Sequence, residues 1–256
     1  MNMREDTAKY YDLQSFPIDD VGYYEARVPS WQARILELGC GTGRVLLPLA
    51  AKCSFIQGID SSPAMLAICL DKLRRAGLPL ARAQATEADI TNLNLDDQFD
   101  LIIAPFRVFQ TLESDEEVIG VLDGIHRCLA PGGVAILNVF NPNRPREEML
   151  QGWCTTGEHI DGETAMPDGE RLVRLHRRPR LQPDPLVVYP ELIYRRYNWS
   201  GSLEDEAIMK IAMRCWYPHE LEERLTTSGF CIKQRWGGYA GEQWGEGPEL
   251  VIEFEQ

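Results

Sequence analysis

The stretch Ile35–Ala50, ILELGCGTGRVLLPLA, constrains this chain more than any other. An apolar run ends in three alternating glycines, Gly39, Gly41 and Gly43, and then turns amphipathic. Glycine lacks a Cβ, so the backbone can bend sharply there and a ligand can approach its N–H groups. Between the carboxyl end of a strand and the amino end of a helix, such a bend forms a ligand crevice. The helix start adds partial positive charge. The motif therefore reads as the floor of a nucleotide-like site.

Spacing narrows the choice. The dinucleotide fingerprint is G-x-G-x-x-G. Here the glycines run G-x-G-x-G, and Arg44 stands where the last glycine of that fingerprint falls. The alternative version of the turn has an acid just before the glycines, here Glu37, and a second acid closing the next strand, here Asp60. A carboxylate at Asp60 can accept both hydroxyls of a ribose.

The flanking sequence supports an alternating α/β chain. Strands are expected at 34–38, 54–60, 80–85, along FDLIIAPF from Phe99, and after the PGG turn at 131–133. Helices are expected at 43–52, from Ser61 or Ser62 to Gly77, and at 114–129. The second carries Pro63 near its first position, and the third carries the Ser114/Glu117 capping-box pattern. Pro48 falls inside the first helix, where it is tolerated only near the first turn or with a kink. Residues 1–31 read as short helices, with Ile18, Val21 and Val28 at roughly helical spacing after Pro17. Repeated strand–helix alternation implies a doubly wound, Rossmann-like sheet with right-handed crossovers.

After residue 150 the period changes to two. Three antiparallel strands are expected at 169–180, 187–199 and 206–216, then a helix at 218–228. Two last strands near 230–236 and 249–255 suit a hairpin on the edge of the main sheet. Four segments follow: an N-terminal helical arm at 1–32, a core at 33–150, an antiparallel insertion at 151–216, and a closing segment at 217–256.

Bulk properties exclude several classes. The chain has 256 residues and a formal net charge of −13, with 39 acidic against 26 basic residues. That balance repels phosphate backbones and argues against a general nucleic-acid binder. The seven scattered cysteines form no CxxC pair, which argues against zinc or a disulfide framework and for a reducing cytoplasm. The polar start is no secretory signal, and no apolar run approaches the ~20 residues needed to span a membrane.

Four segments in register resemble the class I S-adenosylmethionine-dependent methyltransferases: ILELGCGTGR, GIDSSPAMLAICLDKL, EADITNL before FDLIIAPFRVFQTL, and RCLAPGGVAILNVF. The resemblance spans roughly 33–140. It implies the seven-stranded sheet of that family, S-adenosyl-L-methionine as cofactor and no metal. It places Glu37, Gly39, Gly41 and Gly43 around the methionine half of the cofactor. Asp60 binds the ribose, with Ser61 and Met65 beside it. Asp89 takes the adenine amino group, with the Ile90 backbone at the ring. Ala104 and Phe106 line the sulfonium, and Tyr11 closes over the site. Asn/Asp-Pro-Pro-Tyr/Phe, known from amino-methylating nucleic-acid and protein enzymes, is absent; the position reads APFR. The added sheet resembles the lid or dimer surface of small-molecule enzymes such as glycine and amino-sugar N-methyltransferases.

The acceptor side is less defined. Phe106 and Arg107 are the candidates there. Arg107 suits either an anion on substrate or cofactor, or an ion pair with a nearby acid. His126, His159, His176 and His219 are expected to be structural, so no residue stands out as a base. RLVRLHRRPR is expected to be the solvated face of a strand, its arginines paired with acids. Trp199, Trp216, Trp236, Trp244 and Tyr197 are expected mostly in the core of the added sheet. The reading is methyl transfer to a small-molecule nitrogen or oxygen acceptor. The alternatives are a tRNA or rRNA methyltransferase and a cofactor-binding protein without catalysis.

Overall fold

In the computed structural model, which describes residues 6–13, 20–166 and 169–256, the chain builds two sheets in three passes. The first pass makes β1 (Arg34–Leu38), β2 (Phe55–Asp60), β3 (Ala83–Glu87), β4 (Phe99–Ala104) and β5 (Leu129–Phe140). The second makes β6 (Thr155–Ala165), β7 (Arg171–Pro183), β8 (Leu186–Tyr197), β9 (Leu203–Lys210) and β10 (Met213–Arg214). The third returns with β11 (Cys231–Trp236) and β12 (Glu249–Glu255). Seven strands form the main sheet in the order β11-β12-β5-β4-β1-β2-β3. The first five are parallel, while β12 runs antiparallel to β5 and β11 antiparallel to β12. The expected edge hairpin is therefore present.

Alternation along these strands feeds two cores. Leu36, Leu38, Ile102, Leu137 and Phe254 face one side, under α5 (Asp115–Cys128) and α7 (Pro218–Thr227). Ile35, Leu101, Ile103 and Ile136 face the other, under α2 (Val21–Glu25), α3 (Leu46–Ala50) and α4 (Pro63–Arg75). Helix α5 starts as its sequence dictates. Ser114 Oγ accepts the Glu117 N–H at 3.2 Å, and Glu117 Oε2 accepts the Ser114 N–H at 3.0 Å.

Several local expectations are corrected. The helix expected over 43–52 is regular only from Leu46, which leaves Pro48 in the first turn, where its missing N–H costs nothing. β3 starts at Ala83, three residues late. β6 and the short helix α6 (Arg146–Gly152) were not anticipated. β6 is a mostly exposed edge strand with Gly157 and Gly162, so it lacks the apolar alternation that announces a strand. The strand expected over 206–216 splits into β9 and β10. Opposite the gap lies Pro190 of β8, which accepts the Ile211 N–H at 3.1 Å but has no N–H to return, so the ladder breaks. Pro17 and Ile18 lie outside the described residues.

The second sheet has β8 at its centre, flanked by β7 on one side and by β9 and β10 on the other, with β6 at the edge. The amino-terminal arm clips onto it: Tyr10 of α1 (Ala8–Tyr11) stacks on Tyr194 at 5.8 Å, and Lys9 Nζ meets Asp205 Oδ2 at 2.6 Å. It is tied to the main sheet by Arg214, which donates to Asp115 of α5 at 2.7 Å, and by Tyr189, which donates to Glu113 at 2.6 Å. Among the described residues no helix is long and apolar enough to cross a membrane.

Candidate functional site

The sheet order reverses at β1, whose neighbours β2 and β4 carry the chain in opposite directions. Helices at such a point diverge and leave a crevice beyond the strand ends. A cavity of about 470 Å³ lies there, floored by the glycine turn and roofed by the second sheet.

The turn itself is tightly specified. Gly39, Gly41 and Gly43 have φ of +69°, +53° and +83°. A Cβ on Gly39 would sit 2.3 Å from Val108 Cγ2, so the loop after β4 closes directly over this residue. A Cβ on Gly41 would project into open space, whereas one on Gly43 would strike Leu47 and Cys69. Gly41 thus leaves room above the backbone, while Gly43 serves helix packing. Asp60, only 2% exposed, braces the turn: Oδ2 accepts the Gly41 N–H and Oδ1 the Ser62 N–H, both at 2.9 Å. Each oxygen keeps a lone pair for a further donor.

Glu37 is the electrostatic anomaly. Its side chain is 2% exposed, it lines the cavity, and its Oε2 has no hydrogen-bond partner. Burial pushes its carboxyl well above the ordinary value of 4.5, with Arg44 opposing the shift. Arg44 is committed elsewhere: its guanidinium grips the fully buried Asp20 of the amino-terminal arm, with one contact at 2.9 Å. The arm is also held by Thr42, which donates to Asp12 at 2.7 Å, next to Tyr11 in the cavity wall.

On the opposite lip, the loop just past β4 has two consecutive left-handed residues, Phe106 (φ 51°) and Arg107 (φ 66°). Such backbone costs of order 1–3 kcal/mol per residue and persists only where its surroundings enforce it. A closed circuit does so here. The Arg107 N–H donates to Asn138 Oδ1 at 2.8 Å, and Asn138 Nδ2 donates to Glu249 Oε2 at 2.6 Å. The buried Glu249 clamps the Arg107 guanidinium. Of the two roles expected for Arg107, the structure shows the ion pair.

Among the expected site residues, Tyr11, Glu37, Gly39, Gly41, Asp60, Met65, Phe106 and Arg107 line the cavity. Gly43, Ser61, Asp89, Ile90 and Ala104 do not. Ala104 is 1% exposed within the core. Ser61 is exposed, and the neighbouring Ser62 caps α4. Asp89 is exposed and accepts from both N and Oγ1 of Thr91 at 2.8 Å.

The roof holds what the sequence reading missed. Asp161, Arg174, His176, Arg178 and Trp153 line the cavity. Asp161 Oδ1 lies 2.6 Å from His176 Nδ1, and its Oδ2 lies 3.7 Å from Arg174. The run RLVRLHRRPR is therefore not uniformly solvated. Arg171 and Arg177 pair with Glu163 and Glu191, whereas Arg174, His176 and Arg178 take the cavity face. The period of two was the available signal. The tryptophan expectation is also corrected. Trp199 is 83% exposed, Trp216 is buried against Phe109 at 5.6 Å, and the cavity indole is Trp153.

Residues 35–133 match the family model described as a methyltransferase domain. The chain thus carries a methyltransferase domain of the S-adenosylmethionine-dependent kind. It is 24% identical over 188 residues to a ubiquinone biosynthesis O-methyltransferase of Cereibacter sphaeroides (strain ATCC 17025 / ATH 2.4.3), covering 70% of this chain and 71% of that one. Two solved structures share the fold. The CcbJ methyltransferase from Streptomyces caelestis superposes with a TM-score of 0.75 at 20% identity, covering 100% of this chain and 98% of that one. CalS10, an S-adenosylmethionine-bound amino pentose methyltransferase from Micromonospora echinaspora, gives 0.70 at 21%, covering 98% and 96%.

The buried carboxyl sets a pH signature. An acid whose folded pKa is raised favours the fold while protonated, and loses that benefit as pH climbs from its unfolded value toward its folded one. Glu37→Gln should therefore raise the melting temperature of the ligand-free protein at pH 8, with the gain fading as pH falls toward 4.5. Thermal unfolding across pH checks this; an equal gain at both ends would contradict it.

Proposed function

We propose that the chain transfers a methyl group from S-adenosylmethionine to a nitrogen or oxygen of a small molecule held between the glycine turn and the second sheet. One observation carries the reading: a single cavity joins Glu37 and Asp60 on its floor to His176, Asp161 and the apolar wall of the second sheet. The cofactor supplies an activated, sulfonium-bound methyl group. Everything else is left to binding, orientation and exclusion of water.

The floor fits that cofactor. The Glu37 carboxyl, with its Oε2 unpartnered, suits a cationic group such as an amino-acid ammonium. Asp60, already pinned by two backbone amides, suits the paired hydroxyls of a ribose. The open space above Gly41 admits a ligand close to the backbone. Tyr11 and the arm fastened through Arg44 and Thr42 close the entrance. Gly43 and Asp60 shape the turn, while Met65 and Phe106 give the cavity apolar sides. Ser61, Asp89 and Ile90 follow the ends of β2 and β3 outside the cavity lining, so they meet the adenine where that end of the cofactor extends past the cavity.

The roof is where the acceptor belongs, and residues 151–216 form its cover. The names of relatives support a small-molecule acceptor: one is an amino pentose methyltransferase and one a ubiquinone biosynthesis O-methyltransferase. His176 is the residue we assign to take the acceptor's proton. Asp161 fixes its Nδ1, which leaves Nε2 to act; Arg174 on its own strand and His159, stacked at 5.3 Å on β6, complete its polar surroundings. An RNA acceptor fits less well, because the arginine run is divided between acid partners and the cavity rather than forming an open basic face.

Two measurements test this. Calorimetry with S-adenosylhomocysteine should show binding to the wild type that weakens about tenfold or more in Asp60→Asn, roughly 1.4 kcal/mol; equal affinities would remove Asp60 from the site. His176→Gln should leave that affinity intact while lowering kcat about a hundredfold. An unchanged kcat would show that no base acts there.

A further inference from the structure

Resting on the acceptor position argued above, we propose that Arg178 anchors an oxyanion on the acceptor, so that the enzyme methylates a small molecule with an apolar body and a carboxylate or phosphoryl group.

The argument starts from hydrogen-bond supply. At the mouth of β6, three buried polar atoms have no partner: Arg178 Nε, Trp153 Nε1 and Thr155 Oγ1. They are neighbours. Thr155 is the register partner of Arg178 across β6 and β7, and the Arg178 guanidinium lies over the Trp153 ring at 5.0 Å. An indole N–H and a guanidinium N–H can only donate. Stacking satisfies the face of the guanidinium and leaves its edge donors unspent. Two of the three atoms can only donate and the Thr155 hydroxyl can donate as well, so the cluster is rich in donors beside a cavity and suits an acceptor; guanidinium recognises carboxylate and phosphate with paired donors.

Charge points the same way. Arg171, Arg174, Arg177, Arg195 and Arg196 of this sheet each meet a carboxylate. Among the described residues, no carboxylate forms an ion pair with Arg178. Among the described residues, the one acid on the cavity face of the sheet, Asp161, is shared by His176 and Arg174. Glu37 and Asp60 belong to the floor. The roof thus holds an uncompensated positive charge inside a chain whose net charge is −13. The rest of the wall is apolar, formed by Phe140, Pro190, Leu192, Met209, Ile211 and Met213. That combination suits an amphiphilic acid.

The test uses the full chain and three ring compounds of similar body: benzoate, phenyl phosphate and neutral benzamide. Each is titrated by NMR into free protein and into protein with S-adenosylhomocysteine. At least one anion should bind more tightly than benzamide, and which one does so tells carboxylate from phosphoryl recognition. Arg178→Gln should weaken that anion at least tenfold, and Arg178→Lys should weaken it less. Arg180→Gln should have no effect, because Arg180 stacks on Tyr189 at 3.6 Å away from the cavity lining. S-adenosylhomocysteine affinity should be the same in all variants. Anions bound no better than benzamide, or equal losses in Arg178→Gln and Arg180→Gln, would overturn the proposal. Absence of S-adenosylhomocysteine binding to the wild type would instead count against the cofactor site, and the free-protein titrations would still decide the role of Arg178.

Discussion

A parallel sheet that changes direction at β1 must part its helices there, and the rest of this molecule is arranged around that gap. The glycine turn forms one lip and the left-handed bend at Phe106 and Arg107 forms the other. The lips meet closely, since Val108 occupies the place a Gly39 side chain would need. Neither lip is held by local preference alone. Asp60 pins the first through backbone amides, and the Arg107–Asn138–Glu249 circuit pins the second. Both circuits cross between strands, so the shape of the crevice is a property of the assembled sheet.

The gap alone would be an open trough. The amino-terminal arm and the second sheet close it, and both are held by polar contacts that cross between elements. Arg44 and Thr42 reach from the turn to the arm, and Asp205 reaches from the second sheet to the same arm. Asp115, one residue inside the capped start of α5, receives both Arg214 and Arg224. These pairs lower the Asp115 carboxyl below its ordinary value, with the hydrogen bond from Arg214 the largest cause. The enclosure therefore mixes apolar packing, as in Tyr10 on Tyr194, with a few cross-element ion pairs.

Most of the main sheet was legible because its signals are local. Strand runs of buried residues, Ser62 and Ser114 as helix caps, and glycines at strand ends need only neighbours in sequence. The floor of the site was legible for the same reason: Glu37, Gly41 and Asp60 sit at fixed offsets from strand ends. The roof was not. β6 is exposed on its edge and has no apolar period, and the gap between β9 and β10 depends on Pro190 of another strand. The cavity face of β7 was hidden by composition. Arg171 through Arg180 read as one basic run until pairing with Glu163 and Glu191 separates one face from the other. His176 meets Asp161 on an adjacent strand, a partner that spacing along the chain does not reveal. Asp89 shows the converse: a motif position whose observed bonds are those of a turn.

The account stands on the crevice at β1 holding a sulfonium nucleoside, and a crystal of the protein grown with S-adenosylhomocysteine tests it most directly. The expected density places the ribose hydroxyls on the Asp60 carboxylate and the amino-acid ammonium beside Glu37, with the sulfur open toward the second sheet. Nucleoside density elsewhere on the molecule, or a glycine turn packed shut by side chains with the compound excluded, would contradict it.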